Sequence, residues 1–452
     1  MSVPLPVEVL YAKSRLTSAQ LAIWLGLKLH PDKPILDAAA LYYLPIDVRI
    51  DCFQAAFQKF IDTSDAFRMV VFEEDGVPQP RILDPFRYEM EIVDFSGAKN
   101  PKDAAKAWAR EQSLHVFDLT KPMFRAKLIK LGAGHLGWLL HVNHLITDAY
   151  SSVLTIQRLN NFYRLALDGK LDQTPEFPQF ADHAKVEYES RLSRPPAEEL
   201  SFWRTKLARR LEPPSFYGRT RKSSDTALTT RGQLLGTEIT QQLIGMLDDE
   251  RISGKKPEAT LFNLFATALY ALMYRISGAR ELAIGTMYHN RRTDAARDTI
   301  GVYVGALPLR TRIEDGETFL SLAQKVRAEA VENRRNVNGV FRMGLDYGDY
   351  DVMLNVHVAQ PVGLLGYEDE LPYWVRSGHG RETLVVHAFF VPQRGDYWVI
   401  FDTNDSVFDD YFRERVTLHF RNTIAALVEN LNSEIDEIDL LEESERDRLL
   451  HE

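Results

Sequence analysis

The 452-residue sequence holds a single cysteine. One thiol excludes internal disulfides and thiolate-ligated zinc. Cys52, within Ile50-Asp51-Cys52-Phe53, reads as a buried bystander rather than a nucleophile. No apolar run reaches the ~18–20 residues of a membrane span, so no membrane partner is expected. The N-terminus, Met1 to Glu8, lacks the basic-then-apolar profile of a secretory signal, and a cytoplasmic location is expected. Internal repeats, low-complexity tracts and long basic runs are also missing. Lys and Arg total 54 against 64 Asp and Glu, a formal charge of −10 that argues against nucleic acid as a partner. What remains is the make-up of a folded chain: 45% hydrophobic, 26% charged and 11% aromatic, too apolar for disorder. A monomer is expected.

At ~100–200 residues per domain the length allows two to four domains. Apolar residues recur at helical spacing over 18–29, 48–63, 151–166, 259–277 and 410–431. Strand patterns cover 67–73, 124–131, 137–142, 281–287, 351–359, 383–392 and 396–401. The clearest boundary signal lies between Leu171 and Pro196, where Pro175, Pro178, Pro195 and Pro196 flank a possible helix over 180–192. Residues 218–231 read as a polar loop, and 433–452 as an acidic, linker-like tail. These signals predict an α/β (α+β) chain of two lobes, 1–175 and 176–432, followed by the tail 433–452. Interleaved helices and strands favour an open sandwich in each lobe over a parallel barrel.

Chemistry concentrates in Trp138-Leu139-Leu140-His141-Val142-Asn143-His144-Leu145-Ile146-Thr147-Asp148-Ala149-Tyr150-Ser151. A buried strand ends, a short connection carries His and Asp, and an apolar helix follows. Strand ends and the loops after them present polar groups to a cleft from a rigid base. His144 and Asp148 form H-x-x-x-D, in which a neutral imidazole of fixed tautomer can take a proton from an attacking amine or alcohol. His141 is assigned a structural role. Gly132-Ala133-Gly134 and the glycines at 363 and 366 lack phosphate-loop spacing and read as turns, as does the segment around His379. His183 and His289 have no partners at metal-ligand spacing, so no metal is expected.

The chain resembles the condensation domains of non-ribosomal peptide synthetases over nearly its whole length. Leu16-Thr17-Ser18-Ala19-Gln20 with Trp24 and Leu25 is similar to the family's opening S-x-A-Q…W-x-L motif. Phe67-Arg68-Met69 resembles the second motif, and Asn143 to Ser151 the third, H-H-x-x-x-D-G-x-S. Phe180-Ala181-Asp182-His183-Ala184 with Trp203 resembles the fourth. Ile300-Gly301-Val302-Tyr303-Val304-Gly305-Ala306 through Arg310 resembles the fifth, with Asn290-Arg291 where the family has G-R. Six matches in order and spacing carry the likeness; those around Asn336 and Asp351 are faint.

The resemblance implies two chloramphenicol-acetyltransferase-like lobes, each a mixed, largely antiparallel sheet with helices, forming a V around a central tunnel. An acyl thioester on a phosphopantetheine arm enters from one side and an aminoacyl acceptor from the other. The reaction joins them as an amide. His144 matches the catalytic histidine; Asp148 and Asn143 complete that motif. Arg291 matches the arginine that pairs with the aspartate, and Ser151 is expected to cap the following helix. Ala149, Tyr150, Tyr303, Gly305 and Ala306 are expected to line the channel. Asn143 stands for the usual first histidine, Ala149 for a glycine, and Gly305-Ala306 for Asn-Thr, departures that bear on the substrate rather than the reaction class. His144 argues against heterocyclising relatives, which lack that residue.

No tightly bound cofactor is implied; phosphopantetheine or coenzyme A carries the substrate. Donor and acceptor carrier proteins are the implied partners. The short stretch before the first motif, and an end around Ile435-Asp436-Glu437-Ile438 that resembles the linker to an adenylation domain, favour a starter-type or free-standing enzyme. Its donor then arrives in trans, as acyl-coenzyme A or on a separate carrier. An ester-forming acyltransferase of the same fold is the alternative enzyme, although the plant-type D-F-G-W-G motif is missing. A non-catalytic recruitment domain is the third reading.

Overall fold

The computed structural model describes residues 6–193, 197–222, 225–254, 256–337, 350–357, 363–365, 372–442 and 445–447. Its strands are β1 Asp37–Leu44, β2 Met69–Glu74, β3 Val77–Ile82, β4 Glu91–Asp94, β5 Phe124–Gly132, β6 His135–Asn143 and β7 Leu228–Leu234. Then follow β8 Glu281–Tyr288, β9 Gly305–Arg312, β10 Val352–His357, β11 Tyr373–Val375, β12 Leu384–Val391 and β13 Asp396–Asn404. They build a five-stranded sheet, β11-β1-β6-β5-β4, a six-stranded sheet, β7-β13-β12-β10-β8-β9, and the hairpin β2-β3.

Alternation along β1 shows why the first sheet is covered on both sides. Ala40, Tyr42 and Leu44 face the helices Ile50–Thr63 and Ala149–Leu167, in one core with Phe53, Phe57, Trp138 and Leu159. Ala39, Leu41 and Tyr43 point the other way, onto Ala105 and Ala109 of the helix Pro101–Gln112. All its pairs are antiparallel except β4 with β5. The second sheet is mixed, with β10 parallel to both β8 and β12. One of its faces carries Val352, Leu354, Val386, Val399 and Phe401 against the helices Pro257–Ser277, Phe319–Arg335 and Asp410–Glu429. These are the two mixed α/β lobes expected.

Several boundaries differ from expectation. Helix Pro257–Ser277 is, by length and composition, apolar enough to cross a membrane, contrary to the sequence-based exclusion; 78% of its apolar window lies buried in the second core. Residues Asp65–Arg68 form a 3-10 turn, so β2 starts at Met69. The expected loop over 218–231 is partly strand: Leu228 to Arg231 pair with β13, and Gly232 is forced because a Cβ there would meet the Trp398 ring at 2.6 Å. Ile435 and Ile438, from the acidic tail, are buried in the second core.

The lobes are stitched across the chain. Strand β11, from the second half, completes the first sheet beside β1. Ile300, Val302, Tyr303 and Leu364 pack into the first lobe's core. His379 is not a solvated turn; it bridges Ala227 and is half-buried beside Thr226. The glycine turn at 132–134 joins β5 to β6, and the segment reaching 366 runs partly outside the described residues.

Candidate active site

The site begins where β6 runs out. Apolar Trp138, Leu139, Leu140 and Val142 keep that strand buried, and Asn143 stops it. Asn143 Oδ1 accepts from the Leu145 backbone N–H at 3.0 Å, turning the chain, while Nδ2 donates to Asp37 Oδ1 at 2.6 Å. Asp37 Oδ2 also lies 3.3 Å from His141 Nε2, so His141 serves the scaffold as expected. Leu145 and Ile146 anchor the turn in the core, and Gln20 donates to the Leu145 carbonyl at 2.9 Å. That contact explains what the opening S-x-A-Q motif contributes: it braces the histidine turn.

His144 is left half-buried at the tip. Its Nδ1 lies 3.2 Å from the Thr147 carbonyl oxygen. A carbonyl only accepts, so Nδ1 carries the proton and Nε2 presents a lone pair. One residue later the helix begins, and its cap is Asp148, not Ser151: Asp148 Oδ1 accepts from the Ser151 N–H at 2.7 Å. Asp148 also accepts from the Tyr303 N–H at 3.0 Å and faces Arg291 Nη2 at 3.0 and 3.1 Å.

Arg291 ties this turn to the second lobe. Its buried guanidinium donates to the Ala296, Thr299 and Gly301 carbonyls and to Ser151 Oγ. Ser151 Oγ in turn donates to the Gly301 carbonyl at 2.6 Å and accepts from its N–H at 3.0 Å. Tyr303 and Tyr150 stack on the guanidinium at 4.1 and 4.6 Å, and His183 stacks on Tyr303. Gly301 allows the Phe180 ring to close on this loop, since a Cβ would lie 2.1 Å from that ring. We expect Gly301→Ala to cost about 2–3 kcal/mol, read as a lower urea midpoint with unchanged m.

Tyr150, Ser151, Asp148, Arg291 and Tyr303 thus form one cluster next to His144. Ala149 is exposed at the first helical position, and Gly305 and Ala306 open β9 opposite Tyr288 and Met287. Sequence reasoning missed Asp37; the signal available was a lone carboxylate heading the apolar strand Asp37-Ala38-Ala39-Ala40. Among the described residues no cluster of His, Cys, Asp and Glu is arranged to hold a metal.

A second polar cluster, on the second sheet's other face, was also missed. Asp402 Oδ2 lies 3.2 Å from His387 Nε2 and 3.3 Å from Arg376 Nη1, and Thr230 donates to Oδ1. His387 Nδ1 lies 3.4 Å from His357 Nε2 and from Asn355 Nδ2. Burial outweighs everything else at His357 and, with the charges of His387 and Arg376, pushes its pKa down from 6.5 to about 3. Burial would raise Asp402, yet His387, Arg376 and Thr230 hold it at about 2. The folded protein therefore resists protonating His357 while the unfolded chain does not. Stability is full above about pH 6.5 and falls as pH drops from there toward 3. Urea midpoints at pH 7.5 and 5.5 check this: the wild type is expected to lose more than His357→Phe, and parallel losses refute it.

A family model described as the condensation domain matches residues 12–339. A plipastatin synthase protein of Bacillus subtilis is 23% identical over 97% of this chain, which spans 17% of that synthase. Phosphinothricin tripeptide synthetase of Streptomyces viridochromogenes is 27% identical over 70% of this chain and is spanned to 29% of its length. Among solved structures, the starter condensation domain of rhizomide synthetase in complex with C8-CoA superposes with a TM-score of 0.81 at 23% identity, covering 94% of this chain and 97% of that one. The first condensation domain of the calcium-dependent antibiotic synthetase gives 0.79 at 21%, over 94% and 98%. The fold is that of these solved condensation domains, two mixed α/β lobes. The chain belongs to the condensation-domain family.

Proposed function

We propose that the protein joins a phosphopantetheine-bound acyl group to the amine of an aminoacyl thioester, at the start of a peptide chain. The observation that carries the reading is the 3.2 Å contact between His144 Nδ1 and the Thr147 carbonyl oxygen, an acceptor that assigns the proton to Nδ1. The free Nε2 lone pair accepts a proton as the acceptor nitrogen attacks the thioester carbonyl carbon. The C–N bond forms, the C–S bond breaks, and the same proton passes to the departing sulfur. The products are an amide and a free thiol. Asp148 takes no part in the transfer; its oxygens are taken up by Arg291 and two backbone N–H groups. Asn143 holds the turn through Asp37 and Leu145. Ala149 and Tyr150 are exposed at the start of the helix and are the positions this reading gives to the substrate channel, whereas Tyr303 and Gly305, expected to line it, are buried.

The likeness to a starter domain bound to C8-CoA supports delivery of the donor in trans, on coenzyme A or a carrier protein. A downstream carrier and adenylation domain are the matching partners. Intact-protein mass spectrometry of an aminoacyl-loaded carrier, incubated with acyl-coenzyme A and acyl-carrier donors, tests this. A mass gain of one acyl group is expected. Transfer only to a hydroxy acceptor would make the enzyme an ester-forming transferase, and binding of carrier without any gain would make it a recruitment domain.

A further inference from the structure

The cluster on β10, β12 and β13 is unused by this reaction, and its hydrogen bonds have a direction. The Asp402 carboxylate accepts, so His387 Nε2 carries the proton and its Nδ1 is a lone pair. His357 Nε2 and the Asn355 amide both approach that lone pair and must donate to it. The proton of His357 is thereby fixed on Nε2, and its Nδ1 is left as an acceptor. Asn355 Oδ1, buried beside it, has no hydrogen-bond partner. The ring of His357 is held flat on Phe389, with centroids 3.9 Å apart and an interplanar angle of 8°. Asp402 and Arg376 cancel in charge, so the cluster is neutral. Asn355 Oδ1 lacks the donor that a buried acceptor requires, and His357, two residues on along the same strand, presents a second acceptor on the same neutral wall.

Register places this wall near the histidine turn. Val375 pairs with Ala39, which pairs with His141 on its other side. Arg376, which contacts Asp402, is therefore level with Val142, two strand spacings or about 10 Å from β6, which ends at Asn143 just before His144. Through Arg376 the wall thus contacts the end of the first sheet from which the histidine turn emerges.

We propose that His357 Nδ1 and Asn355 Oδ1, oriented by Asp402 and His387, form a subsite for an uncharged N–H donor of the acceptor substrate. Such a donor is an amide, and it has two sources: the pantetheine arm or a carboxamide side chain on the amino acid. His357 and Asn355 are specificity residues under this assignment, and Asp402 and His387 are positioning residues. The inference rests on the amide-forming reading for its substrate but not for its test.

The test is calorimetric binding of unreactive acceptor mimics in which nitrogen replaces the thioester sulfur. Glycyl and glutaminyl forms, each on a full pantetheine arm and on a shortened N-acetylcysteamine arm, give four probes. His357→Phe keeps the stack on Phe389 and removes the acceptor; Asn355→Leu removes the other. Each variant is expected to weaken binding about tenfold, the loss of one neutral hydrogen bond. Loss confined to the full arm identifies the pantetheine amide, and loss confined to the glutaminyl probes identifies the side chain. Equal affinity of wild type and folded variants for all four probes overturns the subsite, as does failure of the wild type to bind any of them. If no amide forms in the mass assay while the binding differences stand, the reaction falls and the subsite remains.

Discussion

His144→Ala is expected to lower acyl transfer by about 10²- to 10⁴-fold while the protein stays folded. The two halves of that expectation come from different observations. The large kinetic effect follows from chemistry: an aminoacyl nitrogen that attacks a carbonyl becomes strongly acidic, and Nε2 is the lone pair positioned to take its proton. The small structural effect follows from how little else the side chain does. Its one described polar contact is the Thr147 carbonyl, and it is half-buried at a turn already pinned by Leu145, Ile146, Asn143 and Gln20. Single-turnover transfer from an acyl donor to a loaded carrier measures the rate, and circular dichroism with a urea midpoint checks the fold. A folded variant within threefold of wild type would remove His144 as the base. A fall in rate that matched a fall in folded fraction would make it a scaffold residue like His141.

The order of the motifs made the family and the histidine turn legible, because each motif sits where one element ends and another begins. Periodicity found the long helices for an equally local reason: Ile50, Phe53, Phe57 and Phe60 repeat on one face whatever they pack against. What stayed hidden was tertiary. Strand β11 has three residues, too few to show alternation, and it joins a sheet whose other members lie more than 200 positions away. Strand β7, Leu-Thr-Thr-Arg-Gly-Gln-Leu, is an edge strand whose polar residues read as loop. Asp37 gave only a weak signal, since its meaning depends on the β1–β6 register that sets it opposite Asn143. The cap was misassigned to Ser151 because both it and Asp148 are good capping residues; only the structure shows Ser151 turned to Gly301 and Arg291. Residues 357, 387 and 402 lie on three strands, and no spacing rule could have joined them.

The largest stability effect is expected from Arg291→Ala, at about 3–5 kcal/mol. A buried ion pair adds little net stability over an apolar one, but removing one partner strands the other. Here the stranded group is Asp148, 2% exposed, and the loss does not stop there. The carbonyls of Ala296, Thr299 and Gly301 lose their donor as well, and these carbonyls belong to the loop that closes the second lobe onto the first. Arg291→Lys restores the charge but not the fork: one ammonium cannot serve Asp148, Ser151 and three carbonyls from a single point. It is therefore expected to recover less than half of the loss. Asp148→Asn is the informative partner, because its one amide oxygen can keep the cap on the Ser151 N–H, accepted in the wild type by Oδ1, while the Tyr303 N–H, accepted by Oδ2, loses its partner. Combined as Asp148→Asn/Arg291→Met, the pair leaves no buried charge, so the double variant is expected to be more stable than the sum of its single changes predicts. Urea midpoints of the four proteins give the coupling directly. Additive losses would mean that Arg291 holds the loop through its carbonyls alone, and that the carboxylate facing it is a helix cap with a bystander for a neighbour.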